Sequence, residues 1–196
     1  MMRRILLTLA TLCSMLVAIP ATQAHAAATI SEVTGVHQLV NAQYNDCLTV
    51  VGGSSVNSNP IWHHPCDQSP LAWTQWIIDY EATVTFCFAS QGNTCVDRRT
   101  RNIYRLRSNH TGKCIEPHNG ATNSGARIDQ YDCRMDTYRQ SWIIVEAQGG
   151  GYFFYNAKVY DEAHKERGID AAPYEQDRQV RIWTANQTPP QIWYLR

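Results

Sequence analysis

The chain has 196 residues, and its 17 Lys and Arg balance its 17 Asp and Glu. A nucleic-acid-binding domain shows a strongly basic footprint, which this balance excludes. Beyond the N-terminus no segment approaches the ~20 apolar residues of a membrane span. In chain order, Met1-Met2-Arg3-Arg4 supplies a positive n-region, Ile5 to Ile19 is almost wholly apolar, and Ala24-His25-Ala26 is an A-x-A cleavage site. That order reads as a secretory signal peptide over residues 1–26. A retained anchor is the competing reading, and the cleavage signal argues against it. A lipoprotein is disfavoured because Leu12 precedes Cys13 where a small residue is wanted. Residues 27–34 then read as a linker, and 35–196 as one domain large enough for a real core.

Cys13 leaves with the signal peptide, and Cys47, Cys66, Cys87, Cys95, Cys114 and Cys133 remain. An even number in an exported chain implies disulfides. The segments Cys47 to Cys66 and Cys114 to Cys133 have equal length, which suggests one local bridge made twice. Cys87 and Cys95 then pair by elimination. Zinc is the rival use, with His63-His64-Pro65-Cys66 as its best fragment. No close Cys pair or His-x3-His partner accompanies it, so neither a metal nor a cofactor is expected.

The equal loops belong to an internal repeat. Val36-His37-Gln38-Leu39 overlays Ile103-Tyr104-Arg105-Leu106, Asp46-Cys47-Leu48 overlays Lys113-Cys114-Ile115, and Trp76-Ile77-Ile78 falls one residue off Trp142-Ile143-Ile144. A weaker third copy aligns Gly168-Ile169-Asp170-Ala171 with Cys114-Ile115-Glu116-Pro117. It also aligns Val180 to Ala185 with Ile128 to Cys133. Gly168 and Ala185 hold the two cysteine positions, so both halves of a third bridge are missing together. Val, Ile, Tyr and Trp dominate short pieces between turn signals such as Gly52-Gly53-Ser54-Ser55 and Asn119-Gly120. Three copies of one β unit suggest closure about a pseudo-threefold axis around a shared core. Two stretches exceed the repeat, from Trp76 to Ile103 and from Asn156 to Gly168. Both read as surface insertions, the first a small loop stapled by Cys87–Cys95. Asp161 to Arg167 is the only helix-like run. The arginines at 98, 99, 101, 105 and 107 read as a solvated rim.

Gln140-Ser141-Trp142 and Gln191-Ile192-Trp193 resemble the Q-x-W motif of ricin B-type lectin repeats, with Thr74-Gln75-Trp76 as a degenerate first copy. Cys114-Ile115-Glu116 and Ile128 to Cys133 resemble that family's C-L-D and V-Q-L-Y/W-x-C segments. The resemblance spans about residues 35–196 and implies an all-β fold, a β-trefoil of three pseudo-repeats. It also implies binding of carbohydrate, a glycan or polysaccharide, by a secreted module.

A sugar's C–H face stacks on an aromatic ring, and its hydroxyls bond strongly to a carboxylate. The resemblance implies one such site per copy. It has a carboxylate two residues after the first repeat cysteine and an aromatic two before the second. A polar side chain stands two before the aromatic, and an Asn precedes Q-x-W. In the second copy these positions hold Glu116, Tyr131, Asp129 and Arg139; Arg139 is expected either to take the Asn position or to pair with Glu116 and block it. In the third copy they hold Asp170, Trp183 and Arg181, with Pro190 in place of Asn. In the first copy Thr49, His64 and Trp73 replace carboxylate, aromatic and Asn, with Trp62 nearby, and that site reads as dead for this chemistry.

Glu116 and Asp170 also fit ordinary solvated carboxylates, Tyr131 and Trp183 ordinary rim packing, and Trp76, Trp142 and Trp193 core tryptophans. No G-x-S-x-G or H-E-x-x-H motif and no spare cysteine nucleophile is present, so catalysis is not expected. The rival function is a trefoil that has lost sugar binding and serves as a protein-interaction or protease-inhibitor module with a protein partner. In its favour, no copy keeps the full quartet.

Overall fold

The computed structural model describes residues 29–135, 137–173 and 178–196; the proposed signal peptide and the start of the linker lie outside them. The strands are β1 (Gly35–Asn41), β2 (Asp46–Val50), β3 (Asn59–Pro65), β4 (Gln75–Gln91), β5 (Thr94–Ser108) and β6 (Cys114–Pro117). They continue with β7 (Ile128–Tyr131), β8 (Ser141–Glu146), β9 (Tyr152–Asn156), β10 (Arg167–Ala171), β11 (Val180–Thr184) and β12 (Trp193–Leu195).

Six of these close a ring of antiparallel neighbours, β1–β4–β5–β8–β9–β12 and back to β1. Closure leaves the ring without an unpaired edge. The other six form three hairpins, β2–β3, β6–β7 and β10–β11. These touch one another through Asn59 opposite Gln130, Trp62 opposite Gln179 and Arg127 opposite Arg181. Such a barrel with three hairpins is a β-trefoil, as the repeats imply. The third copy, faintest in sequence, keeps the register of the others. Thr49 faces Trp62, Glu116 faces Asp129, and Asp170 faces Arg181.

Trp76, Trp142 and Trp193 are fully buried in the core inside the barrel. Each indole N–H donates to a hairpin carbonyl: Trp76 to Leu48 at 2.9 Å, Trp142 to Ile115 at 3.3 Å, Trp193 to Ile169 at 3.1 Å. The three acceptors are repeat-equivalent, so each Q-x-W segment pins its own hairpin to the barrel. The three bridges Cys47–Cys66, Cys87–Cys95 and Cys114–Cys133 are formed as the spacing predicts.

The two insertions differ from the expected surface loops. The first is a paired ribbon that prolongs β4 and β5, with register shifts at Tyr80/Ala82 and Cys87/Ala89, and its disulfide ties the strands near the tip. The second carries a helix, α1 (Ala157–Glu162), earlier than the helix-like run Asp161 to Arg167. Asn156 sets its start by accepting from the Val159 N–H. The insertions cover one flank of the barrel. Along β8, Trp142 and Ile144 point into the main core, while Ile143 points outward into a second cluster. Phe154 and its neighbours Phe153 and Tyr155 on β9 divide the same way. Strand alternation forces this split. Phe86 from the ribbon and Tyr160 from α1 close over the outward side, 5.2 Å apart edge to face. Phe88 also meets Tyr160, and the Arg99 guanidinium lies 3.6 Å over the Phe88 ring. Part of the arginine cluster is therefore packing, not solvated rim. Tyr160→Ala should lower the unfolding free energy by about 3 kcal/mol, read by urea denaturation, because the second core loses its largest helix-borne side chain.

Candidate functional site

Apart from Arg139, which lies in the turn before β8, the predicted side chains stand on the hairpins at positions fixed by the shared register. In the second repeat the Glu116 carboxylate does not meet Arg139. The Gln140 amide donates to Glu116 at 2.7 Å and to the Asp132 carbonyl at 3.0 Å, and its oxygen accepts the Arg134 N–H at 2.8 Å. The Arg139 guanidinium lies against Gly120, where a Cβ would come within 2.6 Å of its Nε. Gly120, at φ 66, is thus needed both for its conformation and for this close approach. Lys158 donates to the Gly120 carbonyl at 2.7 Å. Asp129 is buried and held by Arg127 and by His118 Nδ1. Tyr131 is half-buried; its hydroxyl accepts from Ser58 at 2.5 Å, and the Arg134 guanidinium lies 5.5 Å from its ring.

In the third repeat Asp170, Arg181 and Trp183 come together. Arg181 Nε donates to Asp170 at 2.9 Å, and its guanidinium carbon lies 4.0 Å above the Trp183 ring. The Gln191 amide donates to the other Asp170 oxygen at 3.4 Å and to the Thr184 carbonyl at 3.0 Å. Burial pushes the Asp170 carboxyl above the usual carboxylate range, with Arg181, Gln191 and more distant His63 opposing the shift.

Glu116 and Asp170 are only 2% and 4% exposed, so neither is the solvated rim carboxylate weighed from sequence. The cause is the Q-x-W glutamine, which reaches across and bonds to each. Sequence reading took the motif for core packing by its tryptophan and missed the glutamine's part. The signal was present: a glutamine recurs at one register position in the second and third repeats and is absent from the first. There Thr74 bonds locally to the Leu71 carbonyl and to Gln38, and Thr49 has no carboxylate to orient.

The first repeat instead has an open cleft of about 240 Å³, lined by Thr49, Trp62, His64, Gln68, Ser69 and Trp73 with the Val51-Gly52 turn. A different cleft of about 320 Å³ lies between Asp79, Tyr80, Glu81, Arg105, Arg107 and the Cys133–Met135 segment. Its charges are internally paired, Arg105 with Glu81 at 2.6 Å and Arg107 with Asp79 at 3.1 Å.

The closed barrel and its three hairpins define a β-trefoil. Residues 95–160 match the family model described as ricin-type beta-trefoil lectin domain-like. No curated protein sequence matches. Among solved structures, the designed threefold-symmetric protein ThreeFoil is 18% identical with a TM-score of 0.61, over 82% of this chain and 96% of that one. A lectin of Polyporus squamosus, bound to an influenza-binding glycan epitope, is 16% identical with a TM-score of 0.58, over 83% and 48%. An exo-beta-1,3-galactanase of Clostridium thermocellum is 19% identical with a TM-score of 0.61, over 83% of this chain and 30% of that one. At these identities the likeness is one of fold.

The Asp170 shift has a consequence for pH. A carboxyl raised by folding favours the native state fully below its unfolded pKa, and that contribution is lost as pH rises through the folded value. Asp170→Asn keeps the shape and removes the titration. The variant should therefore show a flatter decline of unfolding free energy from about pH 4 upward than the parent, measured by denaturant titrations at several pH values.

Proposed function

We propose that the protein is a secreted carbohydrate-binding module with no chemistry or cofactor of its own, and that its main sugar site is the third repeat. The observation that supports this reading is the cluster of Asp170, Arg181 and Trp183. It sets a strong acceptor and charged donors beside a large half-exposed ring, the combination that polyhydroxylated ligands need. A sugar there either stacks on the ring in place of Arg181 or uses the guanidinium as an added donor. The second repeat is the weaker partner. Its Glu116 is one methylene longer than Asp and lies under Gln140, and its Tyr131 hydroxyl is already bonded to Ser58.

A second reading, a trefoil that binds a protein partner instead of sugar, is favoured by the near-complete burial of Glu116 and Asp170. The two readings separate on a glycan array and on pull-down with insoluble polysaccharides. On the carbohydrate reading, Trp183→Ala and Asp170→Asn lose more binding than Tyr131→Ala and Glu116→Gln, with folding followed by circular dichroism. Losses confined to the Tyr131 and Glu116 variants would move the working site to the second repeat. Retention of no glycan at all would favour the protein-partner reading.

Affinity per site should be modest. One ring and a few hydrogen bonds give roughly 4–6 kcal/mol, around millimolar to tens of micromolar for a free monosaccharide by calorimetry. Several sites on one rigid domain raise avidity for a polymeric glycan.

A further inference from the structure

We infer that the cleft in the first repeat is a saccharide site of different chemistry, one that takes a neutral sugar bearing an acetamido group. The inference rests on the reading of the protein as a carbohydrate-binding module, but not on the third repeat. Sequence alone marked this copy as dead because Thr49 replaces the carboxylate. The structure shows what replaced it. Two indoles, Trp62 from β3 and Trp73 from the short helical turn Leu71–Thr74, line an opening of about 240 Å³. Both are half-buried, so their rings serve as walls and not as core.

The Trp73 wall is built for its place. At Gly53, with φ near 60, an added Cβ would come within 2.3 Å of the indole, so the glycine lets ring and turn meet. His64 is oriented through Nδ1 by the Ser69 hydroxyl at 3.1 Å, and its Nε2 has no partner among the described residues. The Thr49 hydroxyl donates to the Cys47 carbonyl at 2.8 Å, which leaves its lone pairs to accept. The Trp62 indole N–H is buried without an acceptor. The Gln68 amide is exposed at the edge.

The lining contains no Asp, Glu, Lys or Arg. Without a cation it has nothing to offset the desolvation of an acidic sugar, and without an anion nothing for a free amino sugar. Without a carboxylate it also lacks the strong acceptor that holds neighbouring hydroxyls. Its gain comes from apolar contact with two ring faces. An acetamido substituent suits such walls: its methyl packs on an indole, its carbonyl accepts from a side-chain N–H, and its own N–H donates to Thr49 Oγ1 or the Gln68 oxygen. A plain hexose presents the same C–H face but leaves the methyl contact unmade.

The test titrates the full chain with N-acetylglucosamine, N-acetylgalactosamine, glucose and galactose, using saturation-transfer NMR and indole fluorescence. At least one acetamido sugar should bind about tenfold or more tighter than its parent hexose, the usual worth of a buried methyl. Trp73→Ala should abolish that preference, Trp73→Phe should retain part of it, and the preference should persist once Trp183→Ala has removed binding at the third repeat. Gln68→Ala, at an exposed position, should weaken acetamido binding severalfold and provides a reading if Trp73→Ala fails to fold. Equal binding of acetamido and parent sugars overturns the inference, as does unchanged binding in the Gln68 and Trp73 variants. Polysaccharide retention that depends on Trp183, without acetamido preference, removes this site and leaves the third-repeat site standing. Acetamido binding that survives Trp183→Ala, with no polysaccharide retained through Trp183, does the reverse.

Discussion

The hydrogen bond from each core tryptophan to a hairpin carbonyl is the interaction on which the other features depend. A buried indole N–H without a partner is costly, on the order of 1–3 kcal/mol. The acceptors are the carbonyls of Leu48, Ile115 and Ile169, one residue before Thr49, Glu116 and Asp170. The residue that follows each acceptor is thus held in place by the bond that completes the core. This explains why three copies of low mutual similarity share one register. Backbone and tryptophan set the frame, and the side chain beyond the carbonyl is left to vary.

The glutamine of Q-x-W adds a second tie in two of the copies. Gln140 and Gln191 each bond to the carboxylate of their own repeat and to a carbonyl at the end of its hairpin, Asp132 and Thr184. In the second repeat the Cys114–Cys133 bridge ties the same region. The third repeat has no bridge, and the Gln191 bonds with the Arg181–Asp170 pair hold its hairpin instead. The features that steady this hairpin and the features proposed to meet a sugar are therefore partly the same atoms. On the proposed reading, a sugar there replaces bonds already made, which keeps the net gain small.

Much of the fold was legible because it repeats. Equal cysteine spacing, Q-x-W in register and turn residues between β-rich pieces all pointed to the same closed architecture. The insertions were less legible. Phe86, Phe88 and Tyr160 carry no repeat partner, and their role exists only across two distant segments that cover Ile143, Phe153 and Tyr155. Residue types at the site were legible and burial was not. Glu116 and Asp170 are placed by sequence, but whether Gln140 and Gln191, more than twenty residues further along the chain, close over them is a tertiary fact. The first repeat shows a related limit of sequence reading. A test for a carboxylate finds its absence and cannot see that Trp62 and Trp73 line one cleft.

The three faces therefore illustrate divergence at constant geometry. Thr49, Glu116 and Asp170 occupy one register position, and Trp62, Asp129 and Arg181 another. The second pair buries a carboxylate beside a carboxylate, which is tolerable only because Gln140 bonds one while Arg127 and His118 bond the other. The third pair is an ion pair at the surface of a ring. The first pair has no charge, and its aromatic member opens a cleft that neither of the others shows in the same form. Because each pair spans two hydrogen-bonded strands, changing one member alters the demands on the other. In the first repeat neither member is ionisable, so neither needs the ties that Glu116, Asp129 and Asp170 require, and the facing position holds a tryptophan.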